Sequence, residues 1–400
     1  MAAPIARSSR AMIHMQAKSK KVIQAKSKEV MATAMAGLPW LVFVVAVACL
    51  PGVPSATTAP RWAVLSGAVP LMLWSVRVTM TPGHWLGLGF VAWAGAGLAW
   101  SVSPWDTVGE LWRLAVLAGS FCLGAVSRDL TRCWTMLAAG VSVSAAVAIL
   151  QEAGVTPIFV MSDPPVGGLF ANKNVLAELA AASLVAVLAL RSWRWVPGPL
   201  LATVLPASRG VLVALALTGL YALVGRMRWR WIAFIAMVSA IAIGGALLLD
   251  LQLPGRVTSL NQRLAIWHNA LFDLRWFGWG LGSSLDYAHN ELLHLALELG
   301  LGSLLLWVSF GYAIGGPLVT ERLVLVTILA EGLFAFPLHM PATAFLAALC
   351  AGRLCGARHA LRGVGHGRRA YRRANRPPLQ IRAAAGNARP AAKRRRPVSA

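Results

Sequence analysis

Cys133–Gln151 reads CWTMLAAGVSVSAAVAILQ, nineteen residues without a charged side chain. As a helix it would rise about 28 Å, close to the ~30 Å hydrocarbon core of a bilayer. Comparable apolar runs fall at 36–52, 62–80, 84–101, 111–127, 174–190, 195–225, 231–249, 291–316, 321–337 and 340–355. Hydrophobic residues are 58% of the 400 and charged residues only 13%, with a mean hydropathy of +0.65. That much apolar surface needs a membrane to cover it. Backbone groups in lipid must be satisfied within their own segment, and these runs are too solidly apolar for alternating barrel strands. The expectation is an all-α, polytopic inner-membrane bundle. Trp40, Trp62, Trp85, Trp100, Trp105, Trp134, Trp195 and Trp231 stand at run ends, as interfacial anchors do.

The net charge is +23, and 21 of the 37 Lys and Arg lie in residues 1–30 and 353–400. Three parts follow: a basic tail at 1–35, a membrane domain at 36–355 and a disordered basic tail at 356–400. The positive-inside rule places both tails in the cytoplasm, where anionic lipid is their expected partner rather than nucleic acid. The first run reads as a retained anchor, not a cleaved signal. Arg128/Arg132, Arg191/Arg194, Arg226–Arg230 and Arg322 then fall inside as well. Run 195–225 satisfies this as two crossings turning at Pro206-Ala207-Ser208-Arg209-Gly210, or else is one tilted helix. With two crossings there are about twelve spans, and the loops 101–110, 152–173 and 250–290 are periplasmic.

The five cysteines lie in or beside apolar runs without metal spacing or a disulfide framework. No phosphate loop, dinucleotide fingerprint or cluster of carboxylates suited to a divalent metal stands out, so the chain is expected to work without metal, nucleotide or cofactor.

Polar chemistry gathers in the outer loops. Arg209, with Ser208 before it, either grips a phosphate through its planar fork or snorkels to lipid headgroups. Asn174 is read as the cap of the helix from 174, with Lys173 adding a charge at its positive end. Glu178, one turn in, is a buried acid or part of a polar face. Arg263 and Trp267 are four apart, so a short helix there stacks them or aims the arginine into a cavity. Gly278, Gly280 and Gly282 allow tight turns. His289, just before a helix starting near Asn290, titrates in the range of a general base, or else caps that helix. His268 is a rival base. His294 and Glu298 share a helix face and pair.

In this order the FANKN stretch (170–174), Ser208-Arg209-Gly210, Arg263 with Trp267, the Gly278–Gly282 turn and His289-Asn290-x9-Gly300 resemble the O-antigen ligase superfamily. That superfamily holds O-antigen ligases, O-antigen polymerases and bacterial O-linked oligosaccharyltransferases. The resemblance covers roughly 160–305 and implies a metal-independent, inverting glycosyltransferase with a periplasmic site. Its donor would be an undecaprenyl-diphosphate-linked glycan and its acceptor a hydroxyl on lipid A-core, on another glycan or on protein. By resemblance, Arg209, Arg263 and Lys173 would hold the diphosphate and His289 would be the base. Asn174, Asn290, Ser208 and Glu298 would support them. A compact 250–290 loop and the long basic tail depart from the family pattern. A different class, a transporter or flippase of an anionic glycolipid, would show paired broken helices at mid-depth; one break, near Pro206, is visible.

Overall fold

The computed structural model describes residues 29, 31–50, 57–76, 78–155, 166–170, 172–224, 257–282 and 290–374, with side chains omitted at 257–264 and 362–374. Every regular element among them is helical. In chain order they are α1 (Met31–Val47), α2 (Thr58–Trp74), α3 (Pro82–Ala96), α4 (Pro104–Val126), α5 (Thr131–Glu152) and α6 (Lys173–Ala189). Then come α7 (Pro197–Val204), α8 (Arg209–Val224), α9 (Val257–Phe272), α10 (Glu291–Leu299), α11 (Ser303–Ile314), α12 (Val319–Glu331) and α13 (Pro341–Ala374). The run at 231–249 lies outside the described residues.

Pro104–Val126, Thr131–Glu152 and Glu291–Ile314 are long and apolar enough to cross a membrane. The outer surface agrees: Trp74, Trp105 and Leu71 are 94%, 86% and 76% exposed, which suits lipid and not water. The centre of the bundle is α6. Leu176 to Leu184 are all buried, as are Ala186 and Val187, and α5, α7, α8 and α12 pack around this helix. Its alanines at 177, 180, 181 and 182 let four neighbours approach closely. A wider core joins α1, α2, α4, α5, α6, α12 and α13.

Two breaks differ from the simplest reading of the runs. Run 195–225 does divide, at Leu205–Ser208, where Ala207 takes a φ of +51°. Its first arm has only eight residues, roughly 12 Å of helix, so α7 does not by itself cross a ~30 Å core. The twofold crossing expected there is therefore not seen. Run 291–316 breaks at Gly300 (φ +56°), where a 3-10 turn, Gly300–Gly302, separates α10 from α11. Within the expected 250–290 loop, 257–272 is helix. The expected tail at 356–400 starts in helix, since the α13 backbone continues to Ala374, short of Pro377.

Candidate functional site

Residues 276–282 form a strap over the end of α10. Trp279 N–H donates to Leu297 O (2.9 Å), Gly280 N–H to Glu298 O (3.0 Å), and Leu301 N–H to Trp276 O (2.9 Å). The first two take up carbonyls that the end of α10 leaves open, and the third runs back to the strap. Gly278, Gly280 and Gly282 have φ of +74°, +100° and +75°, so the expected turns are present. The strap is itself held. Trp100 Nε1 donates to Phe277 O (3.0 Å), Thr107 Oγ1 to Leu281 O (2.6 Å), and Arg275 lies 3.1 Å above the Trp279 ring. Loop 101–107 and the strap therefore share one end of the bundle. The strap also fixes a side chain: Gly282 N–H donates to Glu298 Oε1 at 2.8 Å.

The start of α10 is fixed as firmly. Asn290 caps it, its Oδ1 accepting from Leu293 N–H (3.1 Å) while Nδ2 donates to Leu333 O (3.2 Å). Glu291 N–H donates to Gly332 O at 2.6 Å. The Glu291 carboxylate accepts from Leu338 N–H (3.1 Å) and from His339 Nδ1 (2.7 Å). Across the ring, His339 Nε2 faces Glu298 Oε2 at 3.8 Å, and His294 Nε2 stands 3.4 Å from Glu298 Oε1. Burial opposes the charged form of His339. The carboxylates of Glu291 and Glu298 outweigh it and hold the imidazole well above its ordinary range.

Glu110 adds a third carboxylate, close enough to feel His339, Glu298 and His294, and it is ion-paired with Arg113. Glu178 on α6 and Glu331 at the end of α12 lie near enough to interact with each other, and Glu178 also with Glu291. Glu178 is the buried acid of its two readings. α4, α6, α10 and α12 thus bring five glutamates to one region. Sequence reasoning missed it because the five are spread from 110 to 331. Only the His294–Glu298 pairing carried a local signal, its i,i+4 spacing.

Arg209 and Lys173 open α8 and α6. Gly210, next to Arg209, would place a Cβ 3.0 Å from Phe334 Cβ, so α8 starts against the same 332–334 segment that holds Asn290. Ser208 is the last residue before α8, its carbonyl accepting from Leu212 N–H (3.2 Å). Lys173 starts α6, and this helix reaches the same region through Glu178, five residues on. The cap of α6 is corrected: Asn172 takes that place, its Oδ1 accepting from Asn174 N–H at 2.8 Å, and Asn174 is the second helical residue. Of the other expected groups, His289 lies outside the described residues. Arg263 falls within α9, as the short-helix reading requires, but its side chain also lies outside them. His268 is exposed and edge-on to Phe272 (4.8 Å).

Beside the cluster opens a cavity of about 340 Å³. Glu110, Arg113, Glu291 and His339 line it at one end, and Phe121, Cys122 and Ala351 at the other. Between Glu110 and Phe121 the α4 wall rises roughly 16 Å and is almost wholly apolar. No protein-family model, curated protein or solved structure matches this chain.

Proposed function

We propose that the chain is a membrane glycosyltransferase that moves a glycan from undecaprenyl diphosphate to an acceptor hydroxyl, in the manner of O-antigen ligases. One observation carries this reading. The starts of α8 and α10, bearing Arg209 and Asn290, meet on segment 332–334 beside a cavity that carries side chains of both charges at one end and is apolar along its length. A lipid-linked anion has that same division between head and tail. Helix starts carry partial positive charge and open N–H groups, so they favour an anion placed between them.

In the reaction the C1–O bond to the diphosphate breaks while a bond from C1 to the acceptor oxygen forms. The leaving diphosphate takes the electron pair, and Arg209, Arg263 and Lys173 stabilise the charge it gains. His289 takes the acceptor's proton. A single displacement with one base inverts the anomeric carbon, in contrast to a double displacement through an enzyme carboxylate. Asn290 and Ser208 hold the helix starts in place, Asn174 ties the first turn of α6 to its cap Asn172, and Glu298 anchors the far end of α10. The site faces the periplasm in this reading, with the lipid A-core as acceptor; a growing repeat unit or a protein hydroxyl would use the same machinery.

The test is transfer of a glycan from undecaprenyl diphosphate by the purified full-length chain in detergent or vesicles. His289→Ala and Arg209→Ala are each expected to lower the rate about 100-fold or more. Arg209→Lys is expected to recover little of it, because a point charge does not reproduce a bidentate grip. Full activity in His289→Ala, or movement of the donor across vesicles without transfer to any acceptor, would overturn the proposal.

A further inference from the structure

Three donor groups from two elements meet behind the cavity's charged end. His294 and Glu298 lie one turn apart on α10, and His339 comes from the segment before α13. One donor atom from each lies within 4.8 Å of the other two. We propose that His294, Glu298 and His339 bind one divalent transition-metal ion, zinc by preference, as a structural tie between α10 and the 332–340 segment. The inference does not depend on glycosyl transfer and gives the ion no part in it.

The donor set points to the metal class. Two imidazole nitrogens and one carboxylate oxygen suit zinc and its neighbours, whereas magnesium and calcium take mostly oxygen. An ion about 2.1 Å from each donor asks the side chains to draw in slightly from their present spacing. The surroundings are those of a built site. A carboxylate only accepts hydrogen bonds, so in the 2.7 Å contact His339 Nδ1 donates to Glu291, and an ion would displace the proton on Nε2 and ligate there. Glu291 is steadied in turn by Leu338 N–H, and Glu298 by Gly282 N–H. The Phe336 ring packs edge-on to His294 at 5.7 Å.

Charge balance argues the same way. His294, Glu298 and Glu291 are 1%, 1% and 0% exposed, and buried carboxylates need compensation. Arg113 is engaged with Glu110. The His294 and His339 ring centroids are 4.7 Å apart, close enough for one ion to lie between them. A single dication there would offset the charge of the two buried glutamates.

The test uses the full-length chain, purified with a tag free of histidine, loaded with Co²⁺ or Zn²⁺ and desalted. About one ion per chain should remain by elemental analysis, with visible d–d absorption in the cobalt form and a higher melting temperature in the zinc form. Glu298→Gln and His339→Gln should each abolish retention, whereas His268→Ala should keep it. Glu291→Ala should weaken affinity about 10-fold to 100-fold while leaving all three donors in place. Failure of the wild-type chain to retain any ion, or full retention by a Glu298→Gln/His339→Gln double variant, would overturn the proposal. Glycan transfer is not read in these measurements, so their failure leaves the transferase reading separately testable.

Discussion

Gly278 shows what one backbone position can control. Its φ of +74° disfavours any L side chain, and a Cβ there would sit 2.2 Å from Glu298 O. That neighbour is main chain and cannot rotate away. Gly154 has a similar φ of +85° but nothing within 4 Å of its would-be Cβ, so it isolates the conformational cost. Gly154→Ala should cost about 1 kcal/mol and Gly278→Ala about 2 kcal/mol more. The readout is melting in detergent, followed by tryptophan fluorescence. Equal loss in both variants would refute the packing account of the strap. The need for turns at 278–282 was legible in the sequence, because glycine at alternate positions has few other uses. Their purpose was not, since the carbonyls they cover belong to residues 297 and 298.

At the scale of elements, α4 and α13 meet backbone to backbone. A Cβ on Gly124 would meet Leu349 O at 2.2 Å, one on Gly352 would meet Phe121 O at 1.9 Å, and one on Gly356 would meet Ala125 O at 2.3 Å. Gly352 and Gly356 have the four-residue spacing by which membrane helices bring their backbones together. Both helices also wall the cavity, through Ala118 and Phe121 on one side and Ala347 and Ala351 on the other. Gly352→Val should therefore push the helices apart, cost about 3 kcal/mol and lower whatever activity the cavity serves. Gly67→Val, on α2 with open space at its Cβ, is the matched control. If both variants melt together, backbone contact does not hold α4 to α13. Helix locations were readable from apolar runs because each reports a local property, its mean hydropathy. Breaks at Ala207 and Gly300 were only partly readable: Pro206 marked the first, while Leu301 and the apolar stretch beyond disguised the second.

For the whole molecule, charge separates along α4. Arg353 donates to Arg128 O, and Arg353 and Arg132 both act on Asp129, so the α4–α5 turn, α13 and their arginines share one end. Glu321, beside Arg322, feels the same Arg353 and Asp129. The strap, Ser101–Thr107 and the glutamate cluster lie at the opposite end of α4, so the arginine groups expected to face the cytoplasm at 128–132, 322 and 353 do gather together. In a cysteine-free background, Val102→Cys and Asp273→Cys should react with a membrane-impermeant thiol reagent applied from the periplasm, and Arg128→Cys only after permeabilisation. Labelling of all three from the same side would overturn the orientation.

The amino-acid order by itself determined that the chain is helical, that apolar segments dominate it, and where Arg209, Asn290 and the glycine turns would fall relative to helix starts. These follow from composition, spacing and capping, which act over a few residues. Only the tertiary structure decided that Glu110, Glu178, Glu291, Glu298 and Glu331 converge, that His339 stands between Glu291 and Glu298, and that α4 and α13 touch through glycine. Such meetings depend on how separate helices pack, and packing in a bilayer is set by shape complementarity between segments far apart in sequence.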